Sequence, residues 1–243
     1  LLIGADEANR LAEWKNPDEL AKLSQIVYIP RPDVKVDPLL TERFRLQELP
    51  YSGSGNVSSS SIRELQSIDL PLGVLSYIEE KRLYFMKKIL ALESEKRLSH
   101  SLSVAHLALA IAKKNQIMNP EKAYIAGLLH DLGKSLDEKA ARAMVQEDYP
   151  DCADYPAWCL HQFTGVHLAK ALFNIQDEAI LDAIHYHCTG KAHMPPLSKI
   201  IYEADKIEPT RGFDSSKLIA RCLENYYVGF VNVLKENETF LIQ

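Results

Sequence analysis

The sequence predicts a mainly α protein in two parts: a partial α/β segment over residues 1–84, then an all-α helical bundle over residues 85–243. Two observations carry this. Up to residue 84, short β-like runs alternate with helical stretches, the pattern of a parallel sheet with crossovers. From Phe85 onward strand-like runs vanish, and apolar residues recur at spacings of three and four. A net charge of −5 gives no broad basic footprint, which argues against duplex DNA or an acidic membrane as the main partner.

In chain order, "LLIGA", "IVYIPR" and "FRLQELP" are the β-like runs, with "PDELAKLS" and "LGVLSYIEEKRLY" as helices. The first run opens without a methionine or a polar lead-in and reads as the middle of a buried strand, so the natural chain is expected to extend upstream. "YSGSGNVSSSSIR" reads as a loop feeding a helix. The expected helices then cover residues 85–96, 98–115, 120–132, 138–147, 156–173, 177–188, 196–208 and 215–237. Asn119 before Pro120 reads as an N-cap followed by a first-turn proline, and Gly133 as a helix stop. The four cysteines (Cys152, Cys159, Cys188, Cys222) form no CxxC pair, which suits free thiols in a reducing compartment. No run approaches the ~18 apolar residues of a membrane span. A cytoplasmic location is therefore expected.

The chemistry lies in polar residues on apolar faces. His100 falls in line with Val104, Leu107, Ala108 and Ile111; His130 follows Ala123 and Ala126 on one face, with Asp131 about 100° further round. His187 shares a face with Ile180, Ala183 and Ile184, and Asp205 lines up with Leu197, Ile201 and Ala204. Taken singly, each is a hydrogen-bonded core histidine or a capping aspartate. Together, buried imidazoles and carboxylates would satisfy one another by binding a divalent cation. Nitrogen and carboxylate ligands without thiolate suit iron, manganese or magnesium better than structural zinc.

The pattern H…HD…D, with its pair inside "LLHDLGK", resembles the HD-domain metal-dependent phosphohydrolases. More narrowly, "RLSHSLSVA", "LHQFTGVHLA", "ILDAIHYHCTGK" and "LSKIIYEADKIEPTRGF" resemble the YqeK family, symmetrical hydrolases of diadenosine tetraphosphate. The resemblance implies His100, His130, Asp131 and Asp205 as metal ligands, with iron the expected ion. It implies His161, His187 and Arg211 facing the phosphates, with Arg97 and Lys134 beside them and Cys188 where the family commonly has threonine. His161 or His187, if protonated, would donate to the leaving oxygen. The expected reaction is attack at the central anhydride, giving two ADP.

Residues 1–84 resemble the carboxy-terminal half of nicotinate mononucleotide adenylyltransferase, a Rossmann-like nucleotidyltransferase, through "IGAD", Trp14, "RP" at 31–32 and "VSSSSIR". This implies Asp6 and Trp14 near a pyridine nucleotide and the serine loop with Arg63 as a phosphate cradle. The phosphate-binding H-x-G-H loop of that family has no counterpart here, so this half alone would lack a full site. Two other readings stand beside the hydrolase: a bifunctional protein of NAD biosynthesis, and a non-catalytic nucleotide-binding module. An unpaired sheet edge would favour a homodimer.

Overall fold

A computed structural model describes residues 1–50 and 58–242, and the chain divides into two compact units, Leu1–Ser59 and Ser60–Gln243. The first part of the serine-rich stretch, residues 51–57, lies outside the described residues.

The amino-terminal unit is built from β1 (Leu2–Gly4), α1 (Ala5–Arg10), α2 (Pro17–Leu23), β2 (Val27–Ile29), α3 (Pro38–Phe44) and β3 (Gln47–Glu48). Its strands form a parallel sheet in the order β1-β2-β3, with Leu2 beside Val27 and Tyr28 beside Glu48. Parallel neighbours need crossovers, which the intervening helices supply. Ala8, Leu11, Ile26, Phe44 and Leu46 make its core.

The second unit is helical among its described residues: α4 (Ser59–Arg63, which spans the division), α5 (Leu72–Glu80), α6 (Phe85–Leu90), α7 (Glu95–Lys114), α8 (Glu121–Leu129), α9 (Glu138–Asp148), α10 (His161–Phe173), α11 (Glu178–Tyr186), α12 (Pro196–Ile207), α13 (Ser216–Glu224) and α14 (Tyr226–Ile242). Every residue of α8 from Ala123 to Leu129 is buried, which marks it as the central helix. Around it pack α7, α11 and α12. Gly127 lets α7 and α8 touch, since a Cβ there would lie 2.8 Å from the Ala105 Cα. Side chains start the helices: the Ser94 hydroxyl accepts from Arg97 N–H at 3.2 Å, and Asp137 and Asp177 cap α9 and α11 in the same manner.

Several boundaries differ from the sequence expectation. Residues 60–84, grouped by sequence with the amino-terminal piece, fold with the helical unit: Tyr124 donates to Glu79 at 2.6 Å, and Lys88 pairs with Glu64. The stretch 98–115 begins earlier, at Glu95, where Ser94 offers a cap the periodicity ignores. Asn119 is not a side-chain cap; it adopts a left-handed turn (φ 56°), and Pro120 occupies the cap position. Gly133 is not the stop either. The α8 helix ends at Leu129, and Gly133 is small because a Cβ there would meet the Thr164 hydroxyl of α10. Residues 215–237 form two helices, parted at Asn225, whose Oδ1 accepts from the N–H groups of Tyr227 and Val228.

Candidate metal centre

Three helix ends supply the core of the site. His130 is the C-cap of α8, His187 the C-cap of α11 and Glu208 the C-cap of α12. Helix C-termini carry partial negative charge, so their convergence favours a cation before any side chain is counted. Asp131 follows His130, Asp205 ends the apolar face of α12, His100 comes from within α7, and His161 opens α10.

The ring orientations follow from the partners. His130 Nδ1 lies 2.7 Å from the Gly127 carbonyl and His187 Nδ1 2.7 Å from the Ile184 carbonyl. A carbonyl only accepts, so both Nδ1 atoms carry a proton and donate. Each Nε2 then turns inward. His130 Nε2 lies 3.6 Å from Asp205 Oδ1 and 3.7 Å from Asp131 Oδ2; His100 Nε2 lies 3.2 Å from Asp205 Oδ1. His187 Nε2 lies 3.6 Å from Asp131 Oδ1 and 3.0 Å from His161 Nε2. The Nε2 atoms of His100 and His130 are buried and make no hydrogen bond among the described residues. A bound cation would satisfy such buried acceptors facing carboxylates.

Three overlapping sets hold their donor atoms within 4.8 Å: His100 with His130 and Asp131; His130 with His187 and Asp205; Asp131 with His161 and His187. The basin therefore has six ligand-capable residues, and the three sets overlap. Its electrostatics agree. Burial opposes ionisation of Asp131, but His130 and His187 outweigh it and hold the carboxyl well below its usual range. Burial is outweighed at Asp205 too, by Lys206, His100 and His130. Burial also opposes charge on His130, yet Asp131 and Asp205 move its pKa up.

The structure thus brings together His100, His130, Asp131 and Asp205, and adds His161 and His187 to the same basin. Those two were read from sequence as phosphate-facing, with one as a proton donor. In the protein alone both rings favour the neutral form: burial, with His187 and Lys134 adding, pushes His161 down to about 2, and burial lowers His187 as well. A neutral imidazole can offer a lone pair to a cation.

Cations ring the basin. Arg97 Nη1 lies 2.7 Å from Asp131 Oδ2, Arg211 Nε donates to the Asp205 carbonyl at 2.7 Å while its Nη2 pairs with the carboxylate, and Lys134 Nζ lies 3.1 Å from His161 Nε2. Each of these three heads is about one-third exposed. Lys206, overlooked in the sequence, reaches Asp205 Oδ2 at 2.7 Å and the His187 carbonyl at 3.2 Å. Cys188 belongs to none of the ligand sets, and burial pushes its thiol up to about 11. Asp6 pairs with Arg31 at 3.1 Å and Trp14 packs half-buried on the small core of the amino-terminal unit. Arg63 falls in the helical unit, over the Tyr84 ring at 5.5 Å.

Comparison with known proteins gives these residues a family context. The family model described as "HD domain" matches residues 97–210, a span from Arg97 past Glu208. A Mycoplasma pneumoniae protein named "Probable nicotinate-nucleotide adenylyltransferase/Ap4A hydrolase" is 30% identical over 96% of this chain and 70% of its own. A Bacillus subtilis protein named "Bis(5'-nucleosyl)-tetraphosphatase, symmetrical" is 30% identical over 62% of this chain and 82% of its own. Among solved structures, a Clostridium acetobutylicum protein described as a "predicted HD superfamily hydrolase involved in NAD metabolism" superposes with a TM-score of 0.58 at 32% identity, covering 69% of this chain and 87% of its own.

Proposed function

The chain belongs to the HD-domain family of hydrolases, and from that premise we propose that its helical part hydrolyses diadenosine tetraphosphate symmetrically, with iron as the expected cation and manganese as an alternative. The observation that carries the reading is the basin itself: buried carboxylates and inward lone pairs, ringed by partly exposed cationic heads. The names of the Bacillus and Mycoplasma relatives support the substrate.

His100, His130, Asp131 and Asp205 would hold the cation, with His161 and His187 able to hold a second. When bound, a divalent cation makes coordinated water acidic and draws charge from phosphoryl oxygens. The remaining work falls to the chain. Arg211 is anchored by its Nε and one Nη, so its remaining exposed N–H groups can meet phosphate in a fixed orientation. Arg97 and Lys134 would bind the flanking phosphates and stabilise the charge that builds on the leaving ADP. In the reaction a water oxygen bonds to one central phosphorus, the central P–O–P bridge breaks with its electron pair on the leaving ADP oxygen, the water's proton passes to solvent, and two ADP leave. Asp131→Ala should lose both bound manganese and turnover; a variant that keeps both contradicts the assignment.

For the amino-terminal unit we propose common ancestry with the nicotinate-nucleotide adenylyltransferase part of the Mycoplasma relative, because the match runs across 96% of this chain and so includes the parallel sheet. Binding of nicotinate mononucleotide by a Trp158→Phe variant, in which Trp14 is the one remaining tryptophan, read by its quenching, tests it.

A further inference from the structure

The three histidines with assigned tautomers do not obtain them in the same way. His130 and His187 stand at helix C-caps, where each ring folds back on the carbonyl three residues earlier. Carbonyls there are free of helical partners, so the device is local. His100 stands in the second turn of α7, a helix of twenty residues, where the nearby carbonyls are engaged in the helical ladder. It must find its partner elsewhere. That partner is Glu208, whose Oε1 lies 2.9 Å from His100 Nδ1.

We propose that Glu208 is the positioning residue of the metal centre: its carboxylate holds His100 in the Nδ1–H tautomer and so aims the Nε2 lone pair into the basin. The inference rests on the cation-centre reading above. Glu208 is 1% exposed, so its charge faces protein on all sides. It is also held firmly, accepting from Thr210 N–H at 2.6 Å and from the Thr210 hydroxyl at 2.7 Å. These bonds make it the cap of the short turn Pro209–Arg211, and Arg211 at the end of that turn returns to Asp205. One helix end therefore faces both nitrogens of His100: Glu208 accepts from Nδ1, and Asp205 lies 3.2 Å from the Nε2 lone pair. An anionic partner on the far nitrogen raises the basicity of a ligating imidazole and fixes its plane. His130 and His187 have their planes fixed by carbonyls, but those neutral partners lack the full negative charge that Glu208 brings.

The competing explanation is that Glu208 merely caps the turn. Two measurements on the full-length protein separate them. In the cation-free protein, ¹⁵N NMR of the His100 ring should show Nδ1 protonated in the wild type and a mixture of tautomers in Glu208→Ala. Manganese(II) affinity, by titration against a chelator, should fall about tenfold to a hundredfold in Glu208→Ala. Glu208→Gln, which still offers an oxygen to Nδ1, should recover part of it. Thr210→Val removes the hydroxyl bond to Glu208 Oε1 but keeps the backbone bond to Oε2 and the imidazole itself, and should lower manganese affinity far less than Glu208→Ala. Wild-type affinity in both Glu208 variants, or equal losses in Thr210→Val, overturns the proposal. So does an unaltered His100 tautomer in Glu208→Ala. If the wild type itself bound no manganese, the centre reading would fall, while the tautomer measurement would still decide the role of Glu208. Should the alanine variant fail to fold, the glutamine and valine variants carry the comparison.

Discussion

His130 has no exposed surface, yet its Nε2 has no hydrogen-bond partner among the described residues, a cost that a bound cation would offset. At this scale the sequence was most legible where a polar residue broke an apolar stripe. His100, His130 and Asp205 each interrupt a three-four pattern, and the basin gathers all three. His161 was harder to place because it opens its helix, where periodicity has no preceding turn to refer to. Glu208 lies past the end of α12, and nothing in its spacing says which imidazole it meets. Arg211 supplies a prediction here. Arg211 pairs with Asp205 through Nη2 and with its backbone through Nε, so Arg211→Ala would remove the proposed phosphate contact while leaving every proposed ligand in place. Turnover should fall roughly a hundredfold, the scale of losing one transition-state donor. Manganese affinity, by the same chelator titration, should change far less. Equal losses in both would make Arg211 part of the cation's support rather than a substrate contact.

At the scale of elements, the site depends on how closely α8 approaches α7. Gly127 permits this, and it lies one turn before His130, whose ring bonds to the Gly127 carbonyl. Gly127→Ala would force the Cβ into the Ala105 backbone, where no flexible side chain can yield. A cost of about 1–3 kcal/mol is expected from such overpacking. Since His100 and His130 ride on the two displaced helices, weaker manganese binding should accompany the lower thermal midpoint. A variant with wild-type stability and affinity would show that the helices tolerate separation. The existence of the helices was readable from periodicity, but their ends were not. Asn119 and Gly133 carry the residue types of a cap and a stop, yet tertiary contacts use them otherwise: Gly133 for its size against Thr164, Asn119 for its left-handed turn. The break at Asn225 is a cap in the middle of an apolar pattern, which periodicity runs straight through.

At the scale of the whole molecule, the two-part architecture was visible in the change of period after the amino-terminal strands, while the division itself falls at Ser59/Ser60 rather than at residue 84. The residues between carry a helical pattern that sequence alone cannot assign to either neighbour. Among the described residues no helix is long and apolar enough to cross a membrane. A cation that binds the folded basin and not the unfolded chain stabilises the helical unit by mass action, about 2.7 kcal/mol at a hundredfold excess over Kd. The chain has two tryptophans, Trp14 in one unit and Trp158 in the other. With Trp14→Phe, Trp158 fluorescence reports the helical unit alone, and its midpoint should rise with manganese and fall with chelator. No shift at saturating manganese would mean that the basin does not hold the ion in the folded state.

The most direct measurement of the central claim is product analysis after anaerobic incubation with iron(II) and diadenosine tetraphosphate, beside an Asp131→Ala control. The geometry and the family together predict two ADP per substrate consumed, and none from the variant. AMP with ATP would leave the cation centre standing but contradict symmetrical cleavage, and substrate left intact by a protein with bound iron would contradict the assignment of this substrate.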